Sequence, residues 1–89
     1  MKAVYSGKVS DSKSFELENE HVYLITYRTN AINSGEIDGH IHVAIALAMK
    51  ELVMTHTITS TPYVSVSLDG LTITLSFSSM GVLVVRDLS

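Results

Sequence analysis

The chain has 89 residues, a formal net charge of −3 from nine Asp and Glu against six Lys and Arg, 46% apolar and 17% charged side chains, and no cysteine. A chain this short builds one core and not two. The negative balance offers no basic field for a phosphate backbone, and the missing cysteines exclude disulfides, thiolate catalysis and cysteine zinc sites. No apolar run reaches the ~20 residues of a membrane helix, and "MKAVYSGKV" lacks the apolar core of a signal peptide, so a cytoplasmic protein with neither nucleic-acid nor membrane partners is expected.

In chain order, "KAVYSGKV" mixes β-branched and aromatic residues ahead of the turn-forming "SDSKS", which predicts a strand over Ala3 to Val9. "SFELENEHVYLITYR" is extended as one bent strand or as two joined at Glu18 to Glu20. In its second part Val22, Leu24 and Thr26 share one face and Tyr23, Ile25 and Tyr27 the other, as in a strand inside a sheet. The run "TNAINSGEIDG" reads as a loop, with Asp38 as a helix cap.

The most apolar stretch follows, "GHIHVAIALAMKELVM", Gly39 to Met54. Alanines 44, 46 and 48 together with "MKEL" favour a helix. Ile41, Ile45, Ala48, Met49 and Leu52 would then form a core stripe, with Val43, Leu47 and Met54 in a second stripe nearly opposite. A rival reading takes Ile37 to Ile45 as a strand, with Ile37, Ile41, Val43 and Ile45 on one side and Asp38, His40 and His42 on the other.

"PYVSVSLDGLTITLSF" holds two alternating runs around Asp69-Gly70, a preferred hairpin pair that would set Leu68 opposite Leu71, Val66 opposite Ile73 and Ser67 opposite Thr72. "SSMG" turns the chain into "VLVV", Val82 to Val85, a strand covered on both sides that would add a partner strand if it lay at a sheet edge. The expected fold is α+β: a single two-layer domain with an antiparallel sheet of about five strands and one main helix, in ββαβββ order.

Among candidate sites, the second helical stripe suggests a two-fold interface of Val43, Leu47 and Met54 with Lys50 and Glu51 at its rim. The hydroxyl side of the hairpin, Ser65, Ser67, Thr72 and Thr74, is a possible partner face. Asp38, His40 and His42 are the alternative metal or acid-base set, a weak pattern without a third ligand on the helical reading. Glu16, Glu18 and Glu20 recur at every second position, the pattern of a solvated edge. No nucleotide loop, nucleophile elbow or kinase signature is present.

The alanine-rich segment, the hairpin and the closing "SSMGVLVV" together resemble, from Gly39 to Asp87, the roadblock/LC7 family and its longin-like relatives. That resemblance implies dimerisation through the helix and the strand after it, and a scaffold or regulator role beside small GTPases. The same half also resembles the middle of a phosphotyrosine-binding domain. The expectation is a non-enzymatic, homodimeric or larger interaction module without cofactor, a scaffold, adaptor or phage-type inhibitor that acts on an unidentified protein by occupying its surface. The alternatives are a small His- or metal-dependent enzyme and a small-ligand or nucleotide binder with a pocket between subunits near Tyr23, Tyr27 and Tyr63.

Overall fold

The computed structural model describes residues 2–29, 32–33, 36–37 and 41–89, and all of its regular structure is strand. The strands are β1 (Lys2–Val9), β2 (Ser12–Glu16), β3 (Val22–Thr29), β4 (Ile32–Asn33), β5 (Glu36–Ile37), β6 (Ile41–Met49), β7 (Leu52–Thr59), β8 (Val64–Asp69), β9 (Thr72–Phe77) and β10 (Gly81–Asp87). They form a five-stranded sheet in the order β1-β10-β3-β6-β7, a three-stranded sheet β2-β9-β8 and the β4-β5 pair, and every pairing is antiparallel.

Alternation decides which side of each strand meets the other sheet. Tyr23, Ile25 and Tyr27 of β3, Leu83 and Val85 of β10, and Ile73, Leu75 and Phe77 of β9 are buried in one core between the two larger sheets. On β6 the inward side is small, with Ala44 beside Ile25 and Ala46 beside Tyr23. Large and small side chains thus alternate across neighbouring strands, and the core closes without overpacking. Leu17, fully buried after β2, donates its backbone N–H to the Leu71 carbonyl, while the Glu20 N–H donates to the Ala48 carbonyl of β6 and the Ala48 N–H to the His21 carbonyl. The β2–β3 connection therefore caps one end of the core.

At the other end the Tyr27 ring stacks on Phe77, with centroids 5.1 Å apart, and its hydroxyl donates to the Ser79 carbonyl at 2.8 Å. The ring then lies across Gly81, where a Cβ would collide with Tyr27 and with the Arg28 carbonyl oxygen. Glycine starts β10 because only a bare backbone fits under the ring.

The α+β expectation is overturned: no helix occurs among the described residues, and the layer opposite the five-stranded sheet is a second sheet. The roadblock-like arrangement, which needs a helix over residues 39 to 54, goes with it. Residues 41–49 alternate without a break as Ile, His, Val, Ala, Ile, Ala, Leu, Ala, Met, and burial follows that period of two. The alanines supply one face of a strand, which overrides their helical preference. Ile41, Met49 and Leu52, expected in the core, are exposed instead. Asp38, the expected cap, lies outside the described residues.

One open alternative is decided and two smaller corrections follow. The segment after Ser14 forms two strands, the second of its two readings, and they lie in different sheets. The β8–β9 hairpin has the expected faces but is shifted by two residues, pairing Asp69 with Thr72 and Leu68 with Ile73. Gly70 is the first loop residue with φ of 59°, the position where a II′ turn requires glycine. The three-stranded meander is also absent, since β9 and β10 lie in different sheets and β10 sits inside its sheet between β1 and β3, away from any edge.

Candidate functional site

The register of the five-stranded sheet defines its outer face. Val22, Leu24, Thr26 and Arg28 of β3 stand beside Leu47, Ile45, Val43 and Ile41 of β6. Val82, Val84 and Arg86 of β10 flank them on one side, and Met54 and His56 of β7 on the other. The aliphatic residues at the centre are half-buried by one another, while Ile41, Met49, Leu52 and Met54 at the margins are exposed. No described element covers this face. A concavity of about 290 Å³ on it is lined by Thr26, Arg28, Ile41, Val43, Val82 and Val84 with Tyr27 beneath.

Charge on the face is one-sided. Lys8 of β1, Arg86 of β10 and Arg28 of β3 are its cations, and β6 and β7 contain no Lys, Arg, Asp or Glu. The opposite outer face, on the three-stranded sheet, bears Ser12, Ser14 and Glu16, then Thr72, Thr74 and Ser76, then Ser65, Ser67 and Asp69. Ser14 and Thr74 hydroxyls are hydrogen-bonded there at 2.8 Å.

The expected interface residues are therefore partly reunited on new grounds. Val43 and Leu47 lie on the apolar outer face, and Met54 is the cross-strand partner of Leu47. Lys50 and Glu51 form no helical rim but make the two-residue β6–β7 turn, at φ of 54° and 61°. Ser65, Ser67, Thr72 and Thr74 share the hydroxyl face as expected.

Of the candidate metal set, Asp38 and His40 lie outside the described residues. His42 points to the inner side of β6, opposite Ile41 and Val43, as the strand reading requires. Its ring is buried with neither nitrogen hydrogen-bonded among the described residues, and burial pushes its pKa below the usual imidazole value. The tyrosines of the ligand-binding alternative are core residues: Tyr23 and Tyr27 are buried and Tyr63 packs against them half-buried.

A cluster that no local pattern announces joins the ends of two strands. His21 sits between two carboxylates, Nδ1 at 2.6 Å from Asp87 Oδ2 and Nε2 at 3.3 Å from Glu18 Oε2. The Asp87 hydrogen bond, reinforced by the charges of Asp87, Glu18 and Glu20, raises the His21 pKa. The same bond, with the Ser89 backbone N–H on Oδ1, lowers that of Asp87. Three potential metal ligands thus meet, but the carboxylates hold opposite nitrogens of one ring, and 2.6 Å is hydrogen-bond contact, shorter than the ~3.3 Å between ligands around a tetrahedral zinc with ~2.0 Å bonds. The cluster is a hydrogen-bonded clamp between the start of β3 and the end of β10.

Among the described residues no helix is long and apolar enough to cross a membrane. Comparison with protein-family models, curated proteins and solved structures finds no match.

Proposed function

We propose that the protein is a non-enzymatic interaction module that associates with itself by packing the outer face of its five-stranded sheet on the same face of a second copy. The assembly acts by surface occupancy, as a scaffold, adaptor or inhibitor. The observation that carries this reading is the uncovered aliphatic surface of β3, β6 and β10, with Leu24, Val43, Ile45, Leu47, Val82 and Val84 at its centre.

The size of the patch supports an occupant, and its charge a second copy. A patch about four strands wide, at ~4.8 Å per strand, and roughly 25 Å long projects on the order of 450 Å², the size of the largest apolar patch on a typical monomer, which is often a functional surface. Its charge distribution also permits two-fold packing. A dyad parallel to the strands lays the cationic β1–β10 side of one copy over the neutral β6–β7 side of the other, so Arg86 and Lys8 avoid their symmetry mates, while Arg28 on the central strand stays near its own.

Sedimentation equilibrium tests the proposal. The chain is expected to be oligomeric at tens of micromolar, and Leu47→Glu, which places a carboxylate on the face without disturbing the core, is expected to lower the mass while the circular dichroism of the fold is kept. An unchanged mass in Leu47→Glu, or a wild-type chain that is already monomeric, refutes it.

A further inference from the structure

We infer that β7 is a strand-addition edge that pairs antiparallel with β7 of another copy about a two-fold axis at Thr55. This builds on the self-associating reading but uses a different contact: sheet edge against sheet edge instead of face against face.

Edges are dangerous when long, neutral and flat, and proteins blunt them with charge, bulges, proline or brevity. Three of the four edges in the two larger sheets are blunted in these ways. β1 carries Lys2 and Lys8 and a register break between Ala3 and Tyr5. β2 has five residues, with Lys13 and Glu16 among them. β8 follows Pro62 and ends at Asp69. β7 has eight residues, "LVMTHTIT", with no proline and no Lys, Arg, Asp or Glu, and no described strand pairs with its outer side. Three of the most exposed large apolar side chains also sit on it: Leu52 at 64%, Met54 at 62% and Ile58 at 59%.

The occupant follows from self-complementarity. In an antiparallel ladder, residues facing each other direct their backbone groups the same way, so a dyad between identical strands must pass through a residue pair and not between pairs. The one irregularity of β7 against β6 falls at Ile58, between the Thr57 and Thr59 pairings, which leaves Leu52 to Thr57 as the regular stretch. Its two middle residues are Met54 and Thr55, and a dyad on Thr55 engages more of the strand, from Leu52 to Ile58, than one on Met54. The Thr55 dyad sets Thr55 on Thr55, Met54 on His56 and Val53 on Thr57, with Leu52 meeting Ile58 beyond the ladder. No like charges meet, and the hydroxyl, β-branched and apolar pairs are of the kind that stabilise strands. The product is a continuous ten-stranded sheet. Together with face packing it gives the chain two independent two-fold contacts.

The cysteine-free chain allows a direct test. Opposed residues of an antiparallel pair have Cα atoms ~4.5–5.5 Å apart, within disulfide range. Thr55→Cys is expected to form covalent dimers on mild oxidation at low micromolar concentration, whereas Ser67→Cys on the hydroxyl face stays monomeric on the same gel. Thr57→Lys, an exposed edge substitution, is expected to lower the sedimenting mass. Absence of the Thr55→Cys dimer with an unchanged mass in Thr57→Lys overturns the edge contact. That outcome is separable from failure of the face, because Leu47→Glu reports on the face and Thr57→Lys on the edge.

Discussion

The two outward surfaces of this sandwich are built by the same rule and come out opposite. On the three-stranded sheet, every outward position of β2, β8 and β9 is a hydroxyl or a carboxylate, so water satisfies that side. On the five-stranded sheet, the outward positions of β6 are Ile41, Val43, Ile45, Leu47 and Met49, while the inward ones are His42 and three alanines. The strand turns its larger apolar side away from its own core. The difference teaches that the outward residues of β6 are not chosen for water as those of the other sheet are, and the proposed contact with a second copy would account for it.

The comparison can be broken or sharpened by substitutions ordered by expected effect. Leu83 and Val84 are neighbours on β10 that face the core and the apolar surface respectively. Leu83→Ala is expected to cost about 2–5 kcal/mol in urea unfolding, and Val84→Ala clearly less unless the surface is covered. Next, Val43→Lys is expected to weaken self-association at least tenfold, about 1.4 kcal/mol. Its mirror on the hydroxyl face, Thr74→Lys, is expected to leave association unchanged and to move unfolding within about 0.5 kcal/mol. Equal effects of the two lysines would erase the distinction between the surfaces.

The histidines give opposite pH signatures, measurable by urea unfolding between pH 4.5 and 8.5. His21 has a raised folded-state pKa, so its contribution is complete below about 6.5, the unfolded value, and is lost as pH rises through the folded one. Asp87, lowered, contributes above about 3.9 and fails only as pH falls further. His42 is held neutral by burial. As pH falls below about 6.5 the unfolded chain takes up a proton that the folded chain resists, and stability drops. His21→Gln is expected to remove the loss on the alkaline side, and His42→Leu the loss on the acid side. The smallest effect is expected for Ser14→Ala, which removes one exposed hydroxyl pair and costs under about 1 kcal/mol of thermal stability.

Much of the strand content was legible. The two-sided bulk of Tyr23 to Tyr27 marked an interior strand, and the alternation around Gly70 fixed which hairpin residues share a face. The register slipped by two because Asp69-Gly70 favours one turn, while the core burial of Ile73, Leu75 and Phe77 accommodates another with the same faces. Residues 41–49 misled because alanine is both a helix former and an apolar residue. Its alternation with Ile, Val and Leu is invisible to a two-letter pattern of apolar and polar, and only side-chain size reveals it. The pairing of Leu47 with Met54 was expected for a helix and arises across a hairpin instead. The His21–Asp87 contact spans 66 residues of sequence, so no local spacing could have suggested it.

The Lys50–Glu51 turn has a bearing on how the molecule assembles. Both residues are held in left-handed backbone conformations that ordinary side chains disfavour, by roughly 1–2 kcal/mol each. Local preference therefore opposes the hairpin that brings the neutral edge strand home. While a nascent chain still has this hinge open, the two most apolar strands are free to be captured by a neighbour, and exchange of a strand between molecules competes with closure within one.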